Sequence, residues 1–109
     1  MTISHFLLLT VLGGTCIGTV LPSRWMPRWL PNDKVLHAVA YFLLLQLALL
    51  DTHLASWVLG VAGGLFLLGV LLELIQRHIP GRGFSMGDVV ANGVGIATGL
   101  TLHAMAATF

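Results

Sequence analysis

The sequence predicts an all-α membrane protein, a polytopic bundle of four transmembrane helices joined by short connectors. Three observations carry that expectation. Hydrophobic residues make up 57% of the 109 positions and charged residues only 8%, against about a quarter charged in soluble domains. Mean hydropathy is +0.95; so few charges cannot cover a water-facing surface, which makes a bilayer the expected solvent. Four long apolar segments are separated by breaks carrying Pro, Gly or Asp. Inside hydrocarbon every backbone polar group has to be satisfied, and in so short a chain helices do this most economically.

The first span is expected over Ile3 to Leu21, closed by Pro22, Pro27 and Pro31, which forbid a continuing helix. No Lys or Arg precedes it, so it lacks the charged region of an ordinary signal peptide and is expected to stay. Leu12-Gly13-Gly14-Thr15-Cys16 is a poor lipoprotein cleavage site, because Gly13 stands where an apolar residue is wanted. Val35 to Leu50 is the second span, followed by the tight polar turn Asp51-Thr52-His53. Ala55 to Ile75 is the third, ended by Pro80-Gly81, and Asp88 to about Ala107 is the fourth. Trp25 and Trp29 suit headgroup depth in the first connector. No repeat or soluble linker interrupts the pattern, so residues 1–109 read as one domain.

Several function classes are excluded or unsupported. A net charge of +1 gives no basic field for nucleic acid. The single cysteine, Cys16, allows neither an internal disulfide nor a cysteine-built metal site. Gly81-x-Gly83-x-x-x-Gly87 has one residue too many for a dinucleotide fingerprint, there is no phosphate loop, and Ser85 lacks a hydrolase elbow. No His-Glu-x-x-His motif occurs, so His37, Glu73 and Asp88 have no motif behind them as metal ligands. Neither a metal nor a cofactor is expected.

Antiparallel spans bring the start of span two, the end of span three and the start of span four to one membrane face. That face collects Asp33, Lys34 and His37, then Glu73, Gln76 and Arg77, then Arg82, Ser85, Asp88 and Asn92. Asp33, His37 and Tyr41 recur every four residues, Glu73, Gln76 and Arg77 are related by three and four, and Asp88 and Asn92 are four apart. Each set therefore occupies one helix face. Ionisable groups within spans face a bundle interior or a watery cavity, so a cavity opening to one side is the economical arrangement.

Structural roles compete with this. Ser85 as N-cap with Asp88 at N3 reads as a capping-box variant. Glu73 and Arg77 suit a simple i,i+4 ion pair. Lys34 and Arg77 can snorkel to headgroups. His5, His53, His78 and His103 are too scattered to argue from. Gly14/Gly18, Gly60/Gly64 and Ala91/Gly95/Gly99 repeat small residues every four positions, strips that let helix backbones approach, within one chain or in a homo-oligomer.

Asp33-Lys34-x-x-His37-x-x-x-Tyr41, Glu73-x-x-Gln76 and Pro80-Gly81-Arg82-x-x-Ser85-x-x-Asp88-x-x-x-Asn92-x-x-Gly95 together resemble the VanZ-like family of small bacterial membrane proteins. The motifs run in the family's order across residues 33 to 95, and three at this spacing are more specific than any one. The family takes its name from a protein associated with resistance to the glycopeptide teicoplanin. The resemblance implies a bacterial cell-membrane location, a role in the cell envelope and a shared polar constellation.

The leading expectation is an enzyme or ligand-binding protein for an envelope lipid or a lipid-linked phosphate or sugar. His37 is then a general base or nucleophile oriented by Asp33 or Tyr41, with Glu73 or Asp88 as its acid-base partner. Arg82 holds an anionic group, beside the start of span four, and Gln76 and Asn92 orient substrate. The alternative is a non-catalytic scaffold or partner subunit of envelope machinery, in which Gly95→Leu would harm function more than His37→Ala. A transporter is a third class; four spans are few for one, and no inverted repeat is visible. Arg24, Arg28, Lys34, Arg77 and Arg82 put the site face in the cytoplasm and both termini outside by the positive-inside rule.

Overall fold

The structure is a computed structural model that describes residues 2–20, 33–78 and 86–108. The described residues are helical apart from short turns, with no strand among them. Helix α1 spans Ile3–Val20, α2 Asp33–Leu49, α3 Thr52–Ala55, α4 Val58–Gln76 and α5 Met86–Thr108. Two of these, α4 and α5, are long and apolar enough to cross a membrane; the apolar stretches Ile3–Gly18 and Lys34–Leu49 are shorter. Helix α2 begins two residues earlier than the apolar run implies, so Asp33 and Lys34 lie in its first turn.

The turn after α2 departs from expectation. Asp51-Thr52-His53 is not a bare turn: Asp51 caps a one-turn helix, its Oδ1 accepting from the backbone N–H groups of His53 at 2.9 Å and Leu54 at 3.1 Å. The third apolar run therefore starts at Val58 rather than Ala55, after Ser56 and Trp57 break the helical path. The other Asp51 oxygen, Oδ2, accepts from His5 Nε2 at 2.7 Å. One carboxylate thus caps α3 and ties down the start of α1, so His5 has a role that its isolation in the sequence conceals.

The apolar core is built from Tyr41, Leu44 and Leu45 of α2, Ala62 of α4 and Ile96 of α5, with Leu8, Val11 and Leu12 of α1 packed against it. The most extensive helix pairing is α2 with α5. Its cause is local: a Cβ on Gly95 would lie 2.2 Å from the Ala38 carbonyl oxygen, so only glycine permits the backbones to touch there. One turn on, a Cβ on Gly99 would meet Gln46 Nε2 and Leu45 Cδ2 at 2.9 Å, and Gln46 Nε2 donates to the Gly99 carbonyl at 3.0 Å. The small-residue strip of α5 is thus used within the chain. Elsewhere, among the described residues, a Cβ on Gly14 or Gly64 would meet nothing within 4 Å, and one on Gly60 meets Trp57 Cβ of its own segment at 4.0 Å.

Outside the core the helices present large apolar side chains to their surroundings, among them Ile3, Leu59, Leu67, Val90 and Met105. The polar groups are distributed differently. Glu73, Gln76, Asp88 and Asn92 are the buried polar side chains of the described residues, and all lie at the end of the bundle where α2 and α5 begin and α4 finishes.

Two outcomes follow. Gly95→Ala should cost roughly 3 kcal/mol, the upper range for overpacking against a surface that cannot give way, whereas Gly63→Ala, open on all sides, should be neutral or slightly stabilising. Thermal unfolding in detergent measures both, and equal effects would discount the α2–α5 contact. The second concerns pH. The His5 hydrogen bond, with help from the Leu54 and His53 N–H groups, holds Asp51 below the ordinary carboxylate value of 3.8. A lowered folded-state value gives stability that is fully present above about that pH and is lost as pH falls through the folded value. The stability gap between wild type and Asp51→Asn should accordingly be flat at neutral pH and shrink only in acid.

Candidate functional site

The α2–α5 contact decides what the site contains. Ala38 touches Gly95, so the preceding residue, His37, is carried alongside Asn92, one turn before Gly95 on the same face of α5. His37 Nδ1 and Asn92 Oδ1 are 2.9 Å apart. An amide oxygen only accepts, so Nδ1–H is the donor and Nε2 keeps its lone pair in the neutral ring. Nε2 faces two carboxylates: Asp88 Oδ2 at 3.7 Å and Glu73 Oε1 at 3.9 Å. These separations exceed a hydrogen bond, so the three atoms surround a small space.

Helix α4 supplies Glu73 through a second close approach. A Cβ on Gly69 would lie 2.4 Å from Asn92 Nδ2 and 3.3 Å from Tyr41 Cζ. Gly69 therefore leaves room for the Asn92 amide, and Glu73, four residues later, arrives on the same face. Glu73 is 0% exposed, Asn92 and Gln76 are 1% exposed, and Asp88 is 5% exposed. Lys34 Nζ lies 3.9 Å from Asp88 Oδ1 at the exposed rim. The Tyr41 ring runs parallel to the His37 imidazole, at an interplanar angle of 7° and a centroid distance of 6.5 Å, and floors the site over the apolar core. Among the described residues, neither Gln76 Oε1 nor Asn92 Nδ2 has a hydrogen-bond partner.

Of the residues singled out in the sequence, the structure brings together His37, Tyr41, Glu73, Gln76, Asp88 and Asn92. Arg82 and Ser85 lie outside the described residues, as does the Asp33 side chain. Two expectations need correction. The orienting partner of His37 is Asn92, on another helix, rather than Tyr41, whose contact is ring stacking. Glu73 and Arg77 do not form a simple surface pair: Glu73 is buried toward His37, while Arg77 is exposed and makes no ion pair among the described residues. Sequence reasoning gave Lys34 no part beyond snorkelling and missed Gly69 altogether. A glycine four residues before the buried acid was the available signal for the latter.

The assembled chemistry is an imidazole held at Nδ1 by Asn92, its Nε2 aimed between two acids, with a tyrosine between it and the apolar core. Such a group can take a proton from a bound molecule and pass it to a carboxylate, or its lone pair can bind a cation jointly with them. No protein-family model, curated protein or solved structure matches the chain.

The tautomer is measurable. Nitrogen-15 spectra of imidazole-labelled protein should show His37 protonated at Nδ1 in the neutral form. Asn92→Ala should remove that preference, and Gly69→Ala, which displaces the Asn92 amide, should weaken it. An unchanged tautomer in Asn92→Ala would remove Asn92 as the positioning residue.

Proposed function

We propose that this chain is a four-span integral membrane protein of the bacterial cell envelope whose one-sided polar pocket binds, and acts on, the headgroup of an envelope lipid or a lipid-linked phosphate or sugar. The observation that carries the reading is the burial of Glu73, Gln76, Asp88 and Asn92 around a half-buried His37 at one end of a bundle whose sides are otherwise apolar. Helices of 18, 17, 19 and 23 residues fall within the roughly 17–25 that span hydrocarbon, α1 and α2 at the short end. Exposed leucines such as Leu59 and Leu67 then face lipid, which removes the cost that water would impose on them. The VanZ-like motifs belong to the same reading; of their residues His37, Tyr41, Glu73, Gln76, Asp88 and Asn92 meet at this end.

In this proposal His37 Nε2 is the base, Asn92 holds its ring, and Glu73 or Asp88 receives or returns the proton. Arg82, from the segment between α4 and α5, clamps an anionic group, with Lys34 at the rim as a second cation. Gln76 Oε1 and Asn92 Nδ2 are the polar atoms left to meet a ligand. The cations Arg24, Arg28, Lys34, Arg77 and Arg82 put this face in the cytoplasm.

A non-catalytic scaffold is the second reading, favoured by one observation. Among the described residues, nothing lies within 4 Å of a Cβ placed on Gly14 or Gly64, which leaves both able to take another helix. Because Gly95 already serves the chain's own packing, Gly95→Leu would be damaging on either reading. The discriminating substitution is Gly14→Leu on α1, set against His37→Ala.

Purified full-length protein, incubated with labelled bacterial lipid extract, should retain or convert a phosphate-bearing lipid. His37→Ala and Arg82→Ala should lower that retention or turnover at least tenfold, while Gly14→Leu leaves it intact. Neither binding nor turnover in wild type, or full activity in both site variants, would end the proposal. On a Cys16→Ser background, cysteines placed at Met26 and Phe84 should resist an impermeant thiol reagent in intact cells; labelling of both would reverse the orientation.

A further inference from the structure

From the geometry of the cluster we propose that His37 Nε2, Glu73 Oε1 and Asp88 Oδ2 form a binding site for a single divalent transition-metal ion, zinc or manganese by donor type, at the centre of the pocket. The inference keeps the headgroup-binding part of that reading, on which its function but not its test rests, and replaces the base role of Nε2, whose lone pair the ion would take, by that of a metal-bound water. The three atoms, one from each of α2, α4 and α5, lie within 4.8 Å of one another. Imidazole nitrogen and carboxylate oxygen are both zinc donors, and open zinc centres use three protein ligands and keep a further position for water or substrate. Bonds of 2.0–2.2 Å at tetrahedral angles set ligand atoms about 3.4 Å apart. The separations of 3.7 and 3.9 Å from Nε2 exceed this by a few tenths of an ångström, and the two carboxylates, whose ligand atoms lie within 4.8 Å of each other, have further to close.

A second observation, independent of the acids, points the same way. A metal-bound histidine gives its remaining ring N–H to a carbonyl or carboxylate, which fixes the tautomer and turns the lone pair toward the ion. His37 has that arrangement: Nδ1–H is taken by the Asn92 amide oxygen at 2.9 Å, and Nε2 points between the acids. A third lies on α4. Gln76 is 1% exposed, its Oε1 has no hydrogen-bond partner among the described residues, and it stands three positions from Glu73 on the same face. An amide oxygen there is suited to a ligand water or to the ion's fourth position. When bound, such an ion would polarise a phosphoryl or carbonyl oxygen of the headgroup, or lower the pKa of a water.

Full-length protein carrying no polyhistidine tag, stripped with chelator and dialysed against zinc or manganese, should take up one ion per chain. Cobalt substitution should give the visible absorption of a low-coordinate site. His37→Ala and Glu73→Gln should each weaken binding more than tenfold. Asn92→Ala, which touches no metal, should weaken it about 10- to 100-fold. The ion should raise the thermal midpoint of wild type and leave that of His37→Ala unmoved. Absence of stoichiometric binding in folded wild type overturns the inference, as does unchanged binding in folded His37→Ala and Glu73→Gln, which would assign the ion to another histidine such as His5. Lipid retention measured on the stripped protein keeps the two readings apart. Lipid binding without metal uptake sinks only the metal site, and metal uptake without lipid binding sinks only the headgroup reading.

Discussion

Everything at the polar end of the bundle depends on the contact between the α5 backbone at Gly95 and the Ala38 carbonyl of α2. Two helices carrying side chains at their crossing keep axes 8–10 Å apart; glycine at the crossing brings them nearer, and the gain is short-range attraction along a long seam. The consequence is a fixed register. With Ala38 against Gly95, His37 can only meet Asn92, and the Asn92 amide can only lie over Gly69 of α4. Packing of small residues thus sets the tautomer of a histidine about one turn away, without any residue being at once in the packing seam and in the acid cluster.

The same logic explains what could be read from the sequence. Spacing of three and four identifies residues on one face of one helix, so Glu73 with Gln76, and Asp88 with Asn92, were legible as pairs. Alternating direction of successive helices identifies which ends meet, so the convergence of α2, α4 and α5 was legible too. Neither rule says which residue of one helix touches which of another. That is why Asn92 as the partner of His37, Gln46 as donor to Gly99, and the His5–Asp51 tie across α1 and α3 were not foreseen. Glycine spacing has the same weakness: three strips look alike in sequence, yet among the described residues Gly95 and Gly99 are closely packed while a Cβ on Gly14 or Gly64 would meet nothing. The break at Ser56 and Trp57 was hidden because the apolar run continues through it, and only the Asp51 cap marks that a short helix begins and ends there.

Burial of polar groups is the second constraint. A buried acid or amide costs several kcal/mol unless its environment answers it, and the chain concentrates such groups rather than scattering them. Glu73, Gln76, Asp88 and Asn92 are buried together, whereas Tyr41, Leu44, Leu45 and Ile96 below them form a wholly different environment. Tyr41 marks the boundary, its ring against His37 on one side and the leucines on the other. A structural network needs each member to be satisfied by another. The polar atoms of Gln76 and Asn92 that meet no partner among the described residues are what a binding pocket has and a closed network lacks.

Depth then decides what kind of molecule such a pocket suits. Asp88 is the third residue of α5, His37 the fifth of α2 and Asn92 the seventh of α5, while Glu73 is the fourth from the end of α4. At 1.5 Å per residue the cluster lies roughly 3–9 Å inside the helix ends. With the helix ends at the edge of the hydrocarbon, that is the uppermost part of the apolar core, directly beneath the interfacial layer, which adds about 5–7 Å on each side of a 30 Å core. A phosphate or sugar carried on a lipid descends less than one layer thickness to reach His37, and its acyl chains need not leave the bilayer. A water-soluble substrate would have to shed its hydration to enter the same space. On the proposed placement the geometry therefore favours a ligand that is already anchored in the membrane, and the three acceptor atoms at the pocket's centre favour one that arrives with, or is met by, positive charge.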